Sequence, residues 1–231
     1  MKTSINIATF PSREECIIKM LNSVKGRFDH VRVYVNKREQ FRLSDDQLKE
    51  AGATSISKGK DLTDNGKFYF LDTLKEDEYY FTADDDLTYH ASYCEDMVKL
   101  MDEHNCIVTH HGRTLLGENR NYYRSHKWYS CLSVQNALTE IDVAGTGVTA
   151  FSTKYFKPKG LANHELQKMS DLIFSKEAAL EDKVIKVVPH NTGYFNYLKP
   201  DVRSTIHYNC SKFGHLTQND VADEIYRIKK G

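Results

Sequence analysis

The run Tyr79-Tyr80-Phe81-Thr82 is aromatic and β-prone, and it leads into three consecutive carboxylates, Asp84, Asp85 and Asp86. Such a run is most stable as a buried strand whose end opens onto a polar place. Three adjacent carboxylates repel one another, so a fold that gathers them there supplies a cation. Ligands that are all oxygen suit Mg2+ or Mn2+, ions that neutralise a diphosphate. A solvated acidic turn capping a helix that starts near His90 is the simpler alternative.

The rest of the first ~110 residues repeats the strand-then-helix order. Residues 4–10 read as a buried strand. Pro11 then opens a helix with Ile17, Met20, Leu21 and Val24 on one face and Gly26 at its end. Residues 31–35 form a second strand, 45–51 a short helix, 54–57 a weak strand, 58–66 a polar loop and 67–74 a helix. After the acidic strand come a helix over 92–103 and a strand over 106–109. This alternation implies a mostly parallel central sheet flanked by helices.

The pattern changes near residue 110. Residues 110–131 are basic and aromatic. Strand-like pieces follow at 141–144 and 147–151, then a polar turn and helix over 163–182, a strand over 184–188, and a polar, aromatic tail whose last helix, 221–230, packs weakly. The expectation is one continuous α/β domain of two halves, residues 1–109 and a smaller mixed half, 110–231, that includes the tail. The 231 residues suffice for a sizeable core, and 32 basic residues balance 32 acidic ones, so net charge selects no partner. Cys16, Cys94, Cys106, Cys131 and Cys210 are odd in number and form no CxxC pair, which points to free thiols in a reducing compartment. Neither a signal-peptide core nor an apolar run able to cross a bilayer is expected.

Ligands of an open parallel sheet bind beyond the carboxyl ends of its strands. Three polar clusters fall there: Thr9 to Arg13, Asp61 to Lys67, and Asp84 to Asp86. Together they suit a nucleotide diphosphate. Five pieces in order, TFPSR, DNGKFYFL, FTADDDLTY, VAGTGVTAF and MSDLIFSKEA followed by VVPH, resemble glycosyltransferases of the GT-A fold, family 2 type, over residues 4–190. FTADDDLTY resembles that family's DxD element.

The resemblance implies that Asp86 holds a Mn2+ or Mg2+ ion, and that Asp84 faces the ribose or a metal-bound water. Asp85 shares the load or points away. It further implies that Thr9, Pro11 and Arg13 form the nucleotide-binding first loop, that Asp64 and Lys67 contact base and phosphate, that Asp171 is the catalytic base, and that His190 is a third metal ligand. A helix cap would also use Asp171, a structural histidine would also follow Pro189, and Glu165 is the second choice of base. His110 and His111 point to opposite faces, as strand-end polar groups near the donor sugar.

Arg113, Arg120, Arg124 and Lys127 interleave with Tyr122, Tyr123 and Trp128. Lys199, Arg203, His207, Lys212 and His215 interleave with Tyr194, Phe195, Tyr197, Tyr208 and Phe213. Cations among aromatics suit an acceptor cleft, either for a bacterial glycan precursor or for a hydroxymethylated base in phage DNA that leaves the stack. With the free thiols, this places the expected enzyme in the cytoplasm of a bacterial cell or a phage-infected host. A nucleotidyltransferase is the competing enzyme reading, although TFPSR is not a glycine-rich phosphate loop. A non-catalytic relative that binds nucleotide-sugar or nucleic acid is the reading from another class.

Overall fold

The computed structural model describes residues 1–117, 122–200 and 216–231. Its centre is an eight-stranded sheet. From one edge the order is β3 (Ser55–Gly59), β2 (His30–Asn36), β1 (Lys2–Thr9), β4 (Glu78–Ala83), β11 (Val148–Ser152), β6 (Ile107–Thr109), β12 (Ile185–Val187) and β9 (Thr139–Ile141). The first four strands are parallel. β11 runs antiparallel between β4 and β6. β12 is parallel to β6 and antiparallel to β9. The sheet therefore passes without a break across residue 110. Two small antiparallel sheets flank it: β10 (Val143–Ala144) with β7 (Gly112–Leu115) and β8 (His126–Tyr129), and β5 (Leu87–Tyr89) with β13 (Phe195–Tyr197).

Local chemistry explains most of the elements. Pro11 opens a single 3-10 turn, Pro11–Arg13, and α1 (Glu14–Val24) follows, burying Ile17, Met20, Leu21 and Val24. α2 (Asp45–Ala51) starts at a capping box in which Ser44 and Gln47 exchange side-chain and main-chain bonds. α3 (Tyr93–His104) buries Met97 and Met101 on one face. α4 (Ser170–Leu180) is buried on nearly every side, because it packs on β10 and also against the C-terminal helix α5 (Leu216–Lys230).

The structure departs from the sequence expectations at four places. The helix expected over 67–74 is two 3-10 turns, Thr63–Phe68 and Leu71–Thr73, and the Lys67 carbonyl accepts the Tyr80 hydroxyl at 2.8 Å. The acidic turn leads into β5 rather than directly into a helix, since Leu87 to Tyr89 pair with β13 more than a hundred residues later. The strand expected over 141–144 splits between two sheets at buried Asp142, whose carboxylate accepts the Leu115 amide at 2.7 Å. Finally, α5 starts at Leu216 and docks firmly, burying Val221, Ala222 and Ile225.

Cys16, Cys94, Cys106 and Cys131 are free thiols, and Cys210 lies outside the described residues. Among the described residues no helix is long and apolar enough to cross a membrane.

Because Ile225 is fully buried against α4, Ile225→Ala should lower unfolding stability by about 2–5 kcal/mol, the range for deleting a large aliphatic side chain from a core. Chemical denaturation measures it. A change near zero would mean that the helix contributes little to the fold.

Candidate active site

The three carboxylates sit just past the end of β4, where the parallel strands deliver their loops, and each has a different partner. Lys67 Nζ donates to Asp84 Oδ1 at 2.5 Å. The Arg13 guanidinium reaches Asp86 Oδ2 at 2.7 Å and Asp85 Oδ1 at 3.4 Å. The Thr9 hydroxyl donates to Asp85 Oδ2 at 2.7 Å. Thr9 ends β1, which is hydrogen-bonded to β4, and Arg13 follows on the next turn, so the pairing of the two strands sets these contacts.

Lys67 is 3 % exposed, yet its ammonium is held above the usual range. Burial pulls it down, and Asp84 and Asp64 together outweigh that pull. Asp84 goes the other way: burial opposes its charge, and Lys67 wins and keeps its carboxyl below the usual value. Asp86 is raised by burial and by Asp84 against the opposing pull of Arg13. Asp85, 6 % exposed, is pushed up to about 7, mainly by burial and against Arg13. Two cations thus balance three carboxylates, of which Asp85 alone is buried and Asp84 is the most exposed, and the shortfall falls on Asp85 and Asp86.

Two cavities meet at this cluster. The larger, about 460 Å3, is lined by the first loop (Phe10 to Arg13), Lys37, Gln40, Asp61, Thr63 and the aspartate triplet. The smaller, about 210 Å3, is lined by Arg113, Tyr122, Tyr123, Thr146, Ser170, Asp171 and Gln218. Asp64, Lys67, Asp84 and Lys168 belong to both and form the wall between them. Lys37, Thr63 and Lys168 at the larger cavity have left-handed backbone, with φ of 53°, 53° and 63°. Such strain persists only where the surroundings over-determine it. Here Asn36 does so, donating to the carbonyls of Thr9 and Thr63 at 3.3 and 3.0 Å and accepting the Leu62 amide at 2.7 Å.

Asp171 opens α4, but its carboxylate does not cap that helix. Its Oδ1 accepts both the amide and the hydroxyl of Thr146, at 2.8 and 2.7 Å. The cap comes from Asp64, whose Oδ2 accepts the Ser170 amide at 3.0 Å across 106 residues of chain. Asp64 is therefore engaged in joining the 63–68 turn to α4.

Thr146 also contacts the Ser170 hydroxyl at 2.8 Å and Lys67 Nζ at 3.5 Å, so it ties Asp171 to the lysine. The glycine after it is required. A Cβ on Gly147 would stand 2.1 Å from Asp84 Oδ2. Tyr89 completes this corner: its hydroxyl accepts the Asp84 amide at 2.9 Å and donates to the Gly147 carbonyl at 2.7 Å.

The structure does not bring every expected residue together. His190 lines neither cavity. Its Nδ1 lies 2.9 Å from the Val188 carbonyl and its Nε2 3.3 Å from the Ser130 carbonyl, and its ring packs on His110 with centroids 4.9 Å apart. Tyr194 and Phe195 pack around His110 too instead of lining a cleft. The histidine that feels the site is His111. Burial lowers it while Asp171 and Asp84 raise it, and Trp128 Nε1 donates to its Nε2 at 3.1 Å, which places the ring proton on Nδ1. Glu165 is exposed and lines neither cavity. Arg120, Arg203, His207, Tyr208, Lys212, Phe213 and His215 lie outside the described residues.

Among the described residues no three His, Cys, Asp or Glu side chains converge as a ready metal cage. The donor set still fits a hard divalent ion of the Mg2+ type, which takes one or two carboxylates and completes its shell with phosphate oxygens and water. Asp84 and Asp86 are the two carboxylates that would hold it. Compared with known proteins, the chain matches no family model and no curated protein.

Asp85 makes the metal-free protein pH-sensitive. Its carboxyl is raised from 3.8 to about 7, so the folded state binds the proton more tightly than the unfolded chain does. That contribution is fully present below about pH 4 and is lost as pH rises through 7, on the order of 4 kcal/mol for about three pK units. Thermal unfolding should therefore show a melting temperature that falls between pH 5 and pH 8, with a flatter profile in Asp85→Asn. Identical profiles for the two proteins would place the titration elsewhere.

Proposed function

We propose that the chain is a glycosyltransferase of the GT-A type, moving a sugar from a nucleotide-diphosphate donor to an acceptor hydroxyl with inversion at the anomeric carbon. The observation that carries this reading is the pair of adjoining cavities divided by Lys67 and Asp84, with the aspartate triplet on one side and Asp171 on the other. The mixed sheet adds support, since its parallel half presents four loops, those after β1, β2, β3 and β4, to the larger cavity.

The nucleotide occupies the larger cavity, with its diphosphate toward Arg13 and Lys67. Both cations are already fixed by carboxylates, so little reorganisation is needed as charge develops on the leaving group. The acceptor enters the smaller cavity beside Asp171. Thr146 holds Asp171 Oδ1 and thereby turns Oδ2 to the acceptor. The carboxylate takes the hydroxyl proton, the acceptor oxygen bonds to the anomeric carbon, and the bond from that carbon to the diphosphate oxygen breaks with its electron pair going to the diphosphate. A divalent ion held by Asp84 and Asp86 would offset the charge of that diphosphate.

Asp171→Asn should keep nucleotide binding and lose transfer by about 10²–10⁴-fold, the usual worth of a positioned general base. A thermal-shift screen of nucleotide sugars with Mn2+, followed by turnover on the donors that bind, measures both. Near-normal turnover in that variant would move the base elsewhere. Asp86→Ala should abolish the metal-dependent part of nucleoside diphosphate binding in calorimetry; unchanged binding would remove the metal assignment.

A further inference from the structure

The C-terminal helix brings an unexplained amide to the smaller cavity. Gln218, in the first turn of α5, is 7 % exposed and lines that cavity together with Asp171 and Thr146. Among the described residues its side chain has no hydrogen-bond partner, and its polar atoms are not sealed off from the cavity. An amide that opens into a cavity with no protein partner is hydrated there, and a ligand that reproduces those hydrogen bonds can displace the water. The helix is anchored so that Gln218 stays in place. The next residue, Asn219, accepts the Tyr122 amide at 2.8 Å, and Val221, Ala222 and Ile225 are buried against α4.

The surroundings specify what such a ligand is. The described charges lining the cavity are Asp64, Asp84 and Asp171 against Lys67, Arg113 and Lys168, an even balance that gives a polyanion no net attraction. The aromatic surface is also taken. The Arg113 guanidinium lies over the Tyr122 ring at 4.6 Å and the Tyr123 ring at 5.8 Å, and it hydrogen-bonds the Tyr122 hydroxyl. A nucleobase would need a free ring face for stacking. A sugar needs hydrogen-bonding partners instead; the hydroxyls of Thr146 and Ser170 are spent on each other and on Asp171, so the Gln218 amide beside Asp171 is the group left to provide them.

We propose that Gln218 is the specificity-determining contact for an uncharged saccharide acceptor, its amide reading a neighbouring donor–acceptor pair of sugar hydroxyls beside Asp171. The assignment rests on the proposed transferase reading for the role of Asp171, but binding at Gln218 is testable apart from it.

The test is NMR on the 15N-labelled full chain, with the Gln218 side-chain NH2 signal identified by its loss in Gln218→Ala. Methyl glucoside, methyl galactoside and methyl N-acetylglucosaminide are titrated in turn, each beside a single-stranded oligonucleotide control. At least one glycoside should shift the Gln218 NH2 signal, and Gln218→Ala should weaken that glycoside by about tenfold, the worth of one net hydrogen bond in a buried site. Melting temperature and the backbone spectrum should be unchanged in the variant. No shift with any glycoside would overturn the proposal. So would a shift produced by the oligonucleotide that weakens steeply with salt, which would make the acceptor a nucleic acid. Uridine and guanosine diphosphates titrated into the same samples report on the first cavity through the amides of Phe10, Ser12 and Arg13. Silence from them would sink the transferase reading and leave the Gln218 result standing by itself.

Discussion

Three carboxylates and two cations share the end of β4, and the arrangement of both cavities follows from that imbalance. Unit charges about 4 Å apart interact by about 4 kcal/mol at the effective dielectric of a protein interior. The rise of Asp85 from 3.8 to about 7 is a penalty of the same size, roughly 4 kcal/mol. Burial of the carboxyl is the larger part of it, and Asp86 and Asp84 add to it against Arg13. A proton on Asp85 relieves the excess in the protein alone, and a cation arriving with a ligand would relieve it in another way. Arg13 and Lys67 cannot be exchanged for distant charges, because each is fixed by the chain that carries it: the turn after β1 and the 3-10 turn of residues 63–68.

The same wall of charge explains why the two cavities are distinct. Lys67 is tied to Asp84 on one side and reaches Thr146 on the other. Thr146 in turn holds Asp171, and Gly147 gives Asp84 the space it occupies. A loop of three residues between β10 and β11 therefore sets the distance between the acidic triplet and the lone carboxylate. β11 is the antiparallel strand that joins the parallel half of the sheet to the mixed half, so the loop sits where the two halves meet.

How much of this was legible in the sequence depends on the range of the interaction. The first two strands, α1, α2, the acidic strand, α3 and the start of α4 come from local patterns: apolar spacing, a capping box, a β-prone run, a proline at a helix start. The joint between β5 and β13 spans more than a hundred residues and leaves no local trace. The bonds from Asp64 to Ser170 and from Thr146 to Asp171 are likewise invisible in composition. Of the residues expected in the site, Arg13, Lys67 and the aspartates are gathered into one cluster. His190 is instead drawn into an aromatic nest by His110, Tyr194 and Phe195, a matter of packing that a Pro-His pair at a strand end does not announce. Gln218 gave no signal either, since an isolated glutamine in a polar helix has no pattern to set it apart.

That contrast bears on how the site would work. The charged residues legible from the sequence mostly surround the larger cavity, while Asp171, Arg113, Tyr122 and Tyr123, also expected, line the smaller one. Two residues that were not legible, Thr146 and Gln218, lie beside Asp171, the first holding its carboxylate by hydrogen bonds. On the proposed reading, a phosphate-bearing ligand would be met by charges that any chain handling diphosphate must supply. A second ligand would be met by polar groups whose placement depends on this chain's own long-range packing, above all on how α5 docks against α4. Choice of the second ligand can therefore change through α5 and the 145–147 loop while the charged cluster at the end of β4 stays as it is.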